Sequence, residues 1–534
     1  MAKKKATSKA AVKKKAPAKK KAFGKAAASG STRQKGTLQP TAAPAPDAPP
    51  GANSPSRLRV RMYRHGLGDC FLLTLPMDSG KPFYMMIDCG VVLGTQQPAA
   101  IMTDVVENIA SVTGGEIDLL VATHEHWDHV SGFIQAKDTF DKKIKVKQAW
   151  FAWTENPKDP LANQLRAERR STENALRMAV TKLNAFGATE SADRVNNLMG
   201  FFGATAGSTS TALANLKTMA GENQRFCLPG EAPISIDGLP NARFWILGPP
   251  RDEKLLKKSN PQSGDAYGMA ADAEAFLQAA LTRGMGAAAS VENEDTRGNP
   301  FDNLYEIPLT RAEHIPFFEH HYFGESTDGS LYDRRGGAKK TGQEIRTQDW
   351  RRVDSSWLEA SEAMALQLDS ATNNTSLVIA IELIDTGEIL LFPGDAQAGN
   401  WLSWQDLKWS MPDGKTVTGP NLLARTIFYK VGHHGSHNAT LRAKGLELMV
   451  NDALIAMVPV NHDMAVKKRW GMMPLPDLMS RLEEKTFGRL LRIDDKVNAT
   501  VDLAMLKPAE TDEATWKQFT DRVAVTKLYY ELSF

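Results

Sequence analysis

From Leu58 the chain alternates: Leu58, Val60 and Met62 are apolar, with Arg59, Arg61 and Tyr63 between them, the period-two signature of a strand with one buried face. Phe71–Leu75 and Phe83–Ile87 are short apolar runs separated by Pro-Met-Asp-Ser-Gly-Lys-Pro, which predicts a hairpin. A helix is expected over 99–112, followed by a buried strand, Ile117–Thr123, that ends directly at His124. Val146–Trp153 and Phe244–Leu247 read as further strands, and 160–222 as mostly helical. The pattern is irregular over 251–372, with charged and Gly-rich patches such as Tyr332–Lys340. Order returns at Ser376–Leu383, Glu388–Phe392 and Thr426–Val431, and the last elements predicted are a helix near 475–487, a strand near 499–506 and a strand over Leu528–Leu532. Strands alternating with helices and ending in polar clusters predict an α/β sandwich whose chemistry lies along strand ends.

Composition divides the chain. Residues 1–56 hold twelve lysines, one arginine and one aspartate, whereas the remainder holds 52 basic and 61 acidic side chains. A Lys/Ala/Pro-rich tail of this kind has too little to bury to offset its chain entropy and is expected to be disordered. A polycation gains affinity for nucleic acid by releasing counterions, so nucleic acid is the partner expected for the tail, the other reading being a solubilising or non-specifically sticky segment. No apolar segment follows the lysines as a secretory signal requires, and none approaches the ~18 residues of a membrane span. Three widely spaced cysteines, Cys70, Cys89 and Cys227, fit a reducing cytoplasm better than a disulfide scaffold.

The chemistry concentrates in Thr123-His-Glu-His-Trp-Asp-His129, where imidazoles and carboxylate are spaced so that one tight loop can point them to one side. This run resembles the signature loop of the metallo-β-lactamase superfamily. The flanking segments are similar to the hydrolase domain of ComEC-type competence proteins: Gly66-Leu-Gly-Asp-Cys70, Ile87-Asp-Cys-Gly90, Asn373–Ile379, Phe392-Pro-Gly-Asp-Ala396 and Lys430-Val-Gly-His-His-Gly-Ser436. The resemblance covers 57–152 and 373–507 with the Phe244–Pro250 strand. It implies a four-layer αββα sandwich in halves 57–152 and 373–534, with a partly helical insertion at 153–372 serving as a lid or substrate-binding region.

Carried over by position, the resemblance implies two divalent metals, Zn²⁺ or Mn²⁺, one on His124 and His126, the other on Asp128 and His129. Asp395 would bridge them, and a histidine of the His433-His434 pair would complete the second site. His434 is preferred because a histidine followed by glycine at a strand end matches the superfamily's last ligand, with His433 as the alternative. A bridging carboxylate holds two dications roughly 3.5–4 Å apart and turns a shared water into hydroxide near neutral pH, so Asp128 and Asp395 are the expected catalytic residues. Asp88 is expected to orient the histidine loop rather than bind metal, and Asp69 to do the same or to cap its turn. His437 and Ser436 would donate to a phosphate or leaving group, or cap the loop. Gln397 is expected to face solvent.

The chain departs from the family in two places. The histidine that many members supply between the first cluster and the Gly-Asp has no clear match, His314, His320 and His321 being the candidates. The family's Gly-x-His-Pro appears as Gly471-Met-Met-Pro474, with His462 nearby. Three functions follow. The first is a phosphodiesterase or nuclease using a metal-bridging hydroxide. The second is a hydrolase of a small ester, lactone, thioester or phosphorylcholine-type substrate. The third is a nucleic-acid-binding or regulatory protein with a non-catalytic metal site.

Deleting residues 1–56 is expected to weaken DNA binding and flatten its dependence on salt, because most phosphate neutralisation would come from those lysines. Binding titrations of full-length and truncated protein across a salt series check this; unchanged affinity and slope would place the basic surface in the body.

Overall fold

The computed structural model describes residues 57–185, 189–258, 311, 314–318, 360–468, 470 and 473–534. The tail at 1–56, Tyr332–Lys340, His320, His321, Gly471 and Met472 lie outside the described residues.

An eight-stranded and a seven-stranded sheet face each other. The order in the first is Val523–Val525, Tyr529–Ser533, Arg59–Tyr63, Phe71–Pro76, Pro82–Ile87, Leu119–Ala122, Ala149–Ala152, Gln224–Cys227. In the second it is Leu490–Arg492, Ile455–Val458, Thr426–Lys430, Glu388–Phe392, Val378–Leu383, Ala242–Gly248, Ile234–Ser235. Val60, Leu73, Val121 and Trp150 of the first sheet meet Phe244, Ile381, Phe392 and Phe428 of the second in a shared core. The outer face of the first sheet lies under helices Pro98–Thr113, Gly132–Gln135, Lys137–Lys143 and Ser208–Ala220. That of the second lies under Ala398–Ser403, Gly419–Ala424, His462–Lys467 and Pro476–Thr486. The layers are therefore αββα. Central strands buried on both faces need near-continuous apolar sequence, as in Leu119–Ala122 and Val378–Leu383.

The polar face expected on the first strand is covered as well. Arg61 is buried beneath helix Pro98–Thr113, donating to Glu531 Oε2 at 2.8 Å and Asn108 Oδ1 at 2.7 Å. Two further differences from the sequence pattern stand out. Thr500–Leu506 is a 3₁₀ helix, not a strand, because the Asp502 carboxylate accepts from the backbone N–H of Asn498 and Ala499 and closes a turn there. The region read as an insertion also feeds the sandwich through an edge strand that was not expected, Gln224–Cys227, which pairs in parallel with Ala149–Ala152; the expected Phe244–Leu247 strand, observed over Ala242–Gly248, pairs antiparallel with Val378–Leu383. Outside the sandwich, helices Pro160–Ala185, Thr189–Met199 and Ala360–Asn373 share an apolar cluster that includes Leu176, Val195, Phe201, Phe202 and Leu368.

Three turns stack backbone on backbone at the site. Asp69 N–H donates to Asp128 O at 3.0 Å, Gly90 N–H to Asp69 O at 3.1 Å and Cys89 N–H to His129 O at 2.8 Å. A Cβ on Gly90 would lie 2.4 Å from the Asp128 carbonyl carbon and 2.5 Å from His129 N, so nothing larger than glycine fits. Gly90→Ala is expected to cost about 1–3 kcal/mol of unfolding free energy, read by urea denaturation of metal-free protein.

Candidate metal centre

Parallel strands of both sheets end at one edge. Pro82–Ile87 delivers Asp88, and Leu119–Ala122 delivers Thr123 and His124. Glu388–Phe392 leads to Asp395, and Thr426–Lys430 to His433 and His434. The short helix Trp127–Val130 presents Asp128 and His129. The edges are joined there, Leu377 N–H donating to Thr123 O at 2.8 Å, and within the second sheet Asp395 N–H donates to Ser376 Oγ at 3.0 Å. Among the described residues five non-glycine residues have positive φ, and three of them, Asp88, His433 and His434, belong to this site. Left-handed backbone at such residues costs free energy and persists where the surroundings impose it.

Asp128, His129, Asp395 and His434 bring one donor atom each within 4.8 Å of one another, all of them buried. His434 Nε2 is 2.8 Å from Asp128 Oδ2, and His129 Nε2 is 3.1 Å from Asp395 Oδ2. The far nitrogens are held from behind: His129 Nδ1 by Asp88 Oδ2 at 2.8 Å, His434 Nδ1 by the Pro459 carbonyl at 2.7 Å. Asp88 also accepts from Thr123 N–H at 2.8 Å and Thr123 Oγ1–H at 2.7 Å. Its carboxylate is thus spent on orienting the loop. Beside this group His124 Nε2 and His126 Nδ1 lie 3.1 Å apart. The buried atoms Asp128 Oδ1 and His129 Nε2 have no hydrogen-bond partner, and buried polar atoms are left this way mainly where something else satisfies them. Mixed imidazole and carboxylate donors suit Zn²⁺, Mn²⁺ or Fe, so the residues fit divalent metal.

Charge supports the same fit. Asp69, Asp88, Asp128, Asp369 and Asp395 are all buried around the site. Burial works against the charged form of His129, but Asp395, Asp69, Asp88 and Asp128 outweigh it and hold the imidazole well above its ordinary pKa. Burial would raise the Asp395 carboxyl, yet His129 and Lys430 hold it well below the usual range. Lys430 is buried between Asp69 Oδ2 and Asp395 Oδ1, the latter at 3.0 Å, and also donates to Gly394 O at 2.8 Å. Burial disfavours its ammonium, but the two aspartates more than offset this and raise its pKa. His126, mainly through burial, is pushed down to about 3 and His433 to about 4.

The other expected residues are distributed unevenly. His433 stands outside the four-residue group. Its N–H donates to Asp395 Oδ1 at 2.9 Å, and its Nδ1 lies 2.9 Å from Ser436 Oγ and 3.3 Å from Gln397 Nε2. Gln397 is therefore not a solvent-facing residue; it is fully buried against His433. His437 is exposed and joins none of the hydrogen bonds that tie the site together. His314 is exposed too. His462 opens helix His462–Lys467, exposed, with Nδ1 2.9 Å from Met473 O. Asp69 pairs with Lys430. All three cysteines are free and buried.

Two residues escaped the sequence reading. Lys430 ends a strand whose five positions are all buried, and a lysine there signals a buried ion pair. Asp369 falls at helical spacing between Ala365 and Asn373 on the inward stripe of helix Ala360–Asn373.

Residues 65–214 match the family model of the metallo-beta-lactamase superfamily. The matched stretch holds the histidine loop and both glycine turns, and the sandwich described above is the metallo-β-lactamase fold. Such a match points to a metal-dependent hydrolase. Asp395, Lys430 and His434 lie beyond the matched stretch, and their place in the site rests on the geometry. Comparison with curated proteins and with solved structures returned no match. Among the described residues no helix is long and apolar enough to cross a membrane.

Lys430→Met removes the cation between two buried carboxylates. It is expected to destabilise metal-free protein by about 3–5 kcal/mol, and by clearly less once Zn²⁺ or Mn²⁺ is loaded, since bound cations would offset the same carboxylates. Denaturant titrations with chelator and with metal check this; equal losses under both conditions would separate Lys430 from the metal site.

Proposed function

We propose that the protein is a metal-dependent phosphodiesterase acting on nucleic acid or a smaller phosphodiester. The observation that carries this reading is the buried convergence of Asp128, His129, Asp395 and His434, a mixed donor set whose two carboxylates would repel an anionic ester unless bound cations neutralise them. Asp128, His129 and His434 would hold one ion, His124 and His126 the other, and Asp395 would be shared. Two bound dications would neutralise a phosphate and acidify an attacking water. The chain's own residues supply orientation: Lys430 and the His433 N–H fix one oxygen of Asp395 and leave Oδ2 facing His129. The lysine-rich tail supports a polyanionic substrate. Unpaired buried cysteines favour a reducing compartment, the cytoplasm.

A second reading, a small ester, lactone, thioester or phosphorylcholine-type substrate, is favoured by enclosure. His126 is walled by Phe201 and Phe202, with ring centroids 5.3 and 5.0 Å away, and the donors are all buried.

The test is hydrolysis by metal-loaded full-length protein of single- and double-stranded DNA, RNA, bis-p-nitrophenyl phosphate and a carboxylester and lactone panel. Phosphodiester cleavage is expected, reduced about 10²–10⁴-fold by Asp395→Asn and unchanged by Glu222→Gln on the surface. Cleavage of carboxylesters alone would favour the second reading. No cleavage with metal bound, or an active Asp395→Asn variant, would overturn the assignment.

A further inference from the structure

Each imidazole of the centre has one nitrogen turned toward the cluster and one turned away. Behind His124 the Nδ1 meets Thr123 Oγ1 at 3.1 Å, behind His129 stands Asp88, and behind His434 the Pro459 carbonyl. All three supports come from strand ends of the sandwich. His126 differs. Its Nδ1 faces His124 Nε2, and its buried Nε2 has no hydrogen bond. Facing that Nε2 at 3.7 Å is Asp369 Oδ1, also buried and without a hydrogen bond. The other Asp369 oxygen is held by Asn373 Nδ2 at 3.2 Å. Asp369 belongs to helix Ala360–Asn373, outside the sandwich.

We propose that Asp369 is the positioning residue of His126, so that the helical region outside the sandwich completes the metal centre. The inference rests on the metal-site reading above and adds to it a residue from outside the sandwich. A carboxylate behind a ligating imidazole fixes its tautomer and ring orientation and makes the other nitrogen a better donor. Asp369 offers an accepting oxygen whether or not it carries a proton. The same region grips the loop twice more: Phe201 and Phe202 pack on the His126 ring, and Arg169 Nε lies 2.5 Å from Glu125 Oε1, between the two histidines. Dependence on such support should be greatest at this pair, because among the described residues the one histidine between His129 and Asp395, His314, is exposed.

The test compares full-length parent, Asp369→Ala and Asp369→Asn by elemental analysis and by competition for Zn²⁺ with a chelator, with thermal unfolding in chelator to report the fold. The parent is expected to hold about two ions. Asp369→Ala should bind the weaker ion 10–100-fold less tightly, and Asp369→Asn should recover most of that loss, because its amide oxygen still accepts from Nε2–H. ¹⁵N-histidine NMR of the Zn²⁺-loaded parent, which needs no variant to fold, should show His126 protonated on Nε2. Parent-like metal affinity in both variants, or a proton on Nδ1, overturns the proposal. Equal loss in the Asn and Ala variants overturns it in favour of direct ligation by Asp369. A parent that binds no metal overturns the metal-site reading itself, a different failure.

Discussion

Asp69, Asp88, Asp128, Asp369 and Asp395 lie where water does not reach them, and a carboxylate taken out of water without a partner costs more than most single contacts return. The arrangement of the site follows from meeting that cost. Lys430 answers Asp69 and Asp395, Thr123 and His129 answer Asp88, and His434 answers Asp128. Even the left-handed backbone at His433 is explained this way, since it turns an N–H onto Asp395. What the side chains leave over is Asp128 Oδ1, His126 Nε2 and His129 Nε2 without hydrogen-bond partners, donors that fit a divalent cation.

The architecture allows so many charges to meet because both sheets end their parallel strands at one edge. Gly394 shows how tight the junction is: at φ 57° it passes so near Thr123 and Ser376 that a Cβ would lie 2.9 Å from one and 3.0 Å from the other. Only glycine tolerates both the backbone angle and the approach. The glycines of the Asp-Cys-Gly and Pro-Gly-Asp motifs are therefore packing requirements of the same site that the acidic residues line.

Much of this was legible in the chain. Period-two alternation and apolar runs located most strands, because strands packed on both faces leave little freedom in residue type. The His-x-His-x-Asp-His spacing marked out the candidate site because it is local. Asp369 and Gln397 were opaque for the opposite reason. Neither belongs to a local motif, and each acquires its role from an element distant in sequence, Asp369 facing His126 and Gln397 facing His433. The edge strand Gln224–Cys227 was hidden by its shortness and polar start, since only pairing with Ala149–Ala152 makes it a strand. At Thr500–Leu506 apolar content spoke for a strand while the capping aspartate spoke for a turn, and the local hydrogen bonds won.

The first strand, Arg59–Tyr63, lies between Phe71–Pro76 and Tyr529–Ser533, and its buried Arg61 is neutralised by Glu531 across 470 positions of sequence. A growing polypeptide on the ribosome therefore carries an unpaired edge and an uncompensated guanidinium until Tyr529–Ser533 emerges. Closure of the first sheet waits for that distant strand, and the interval before it is when an exposed strand edge is most open to aggregation and most in need of a chaperone.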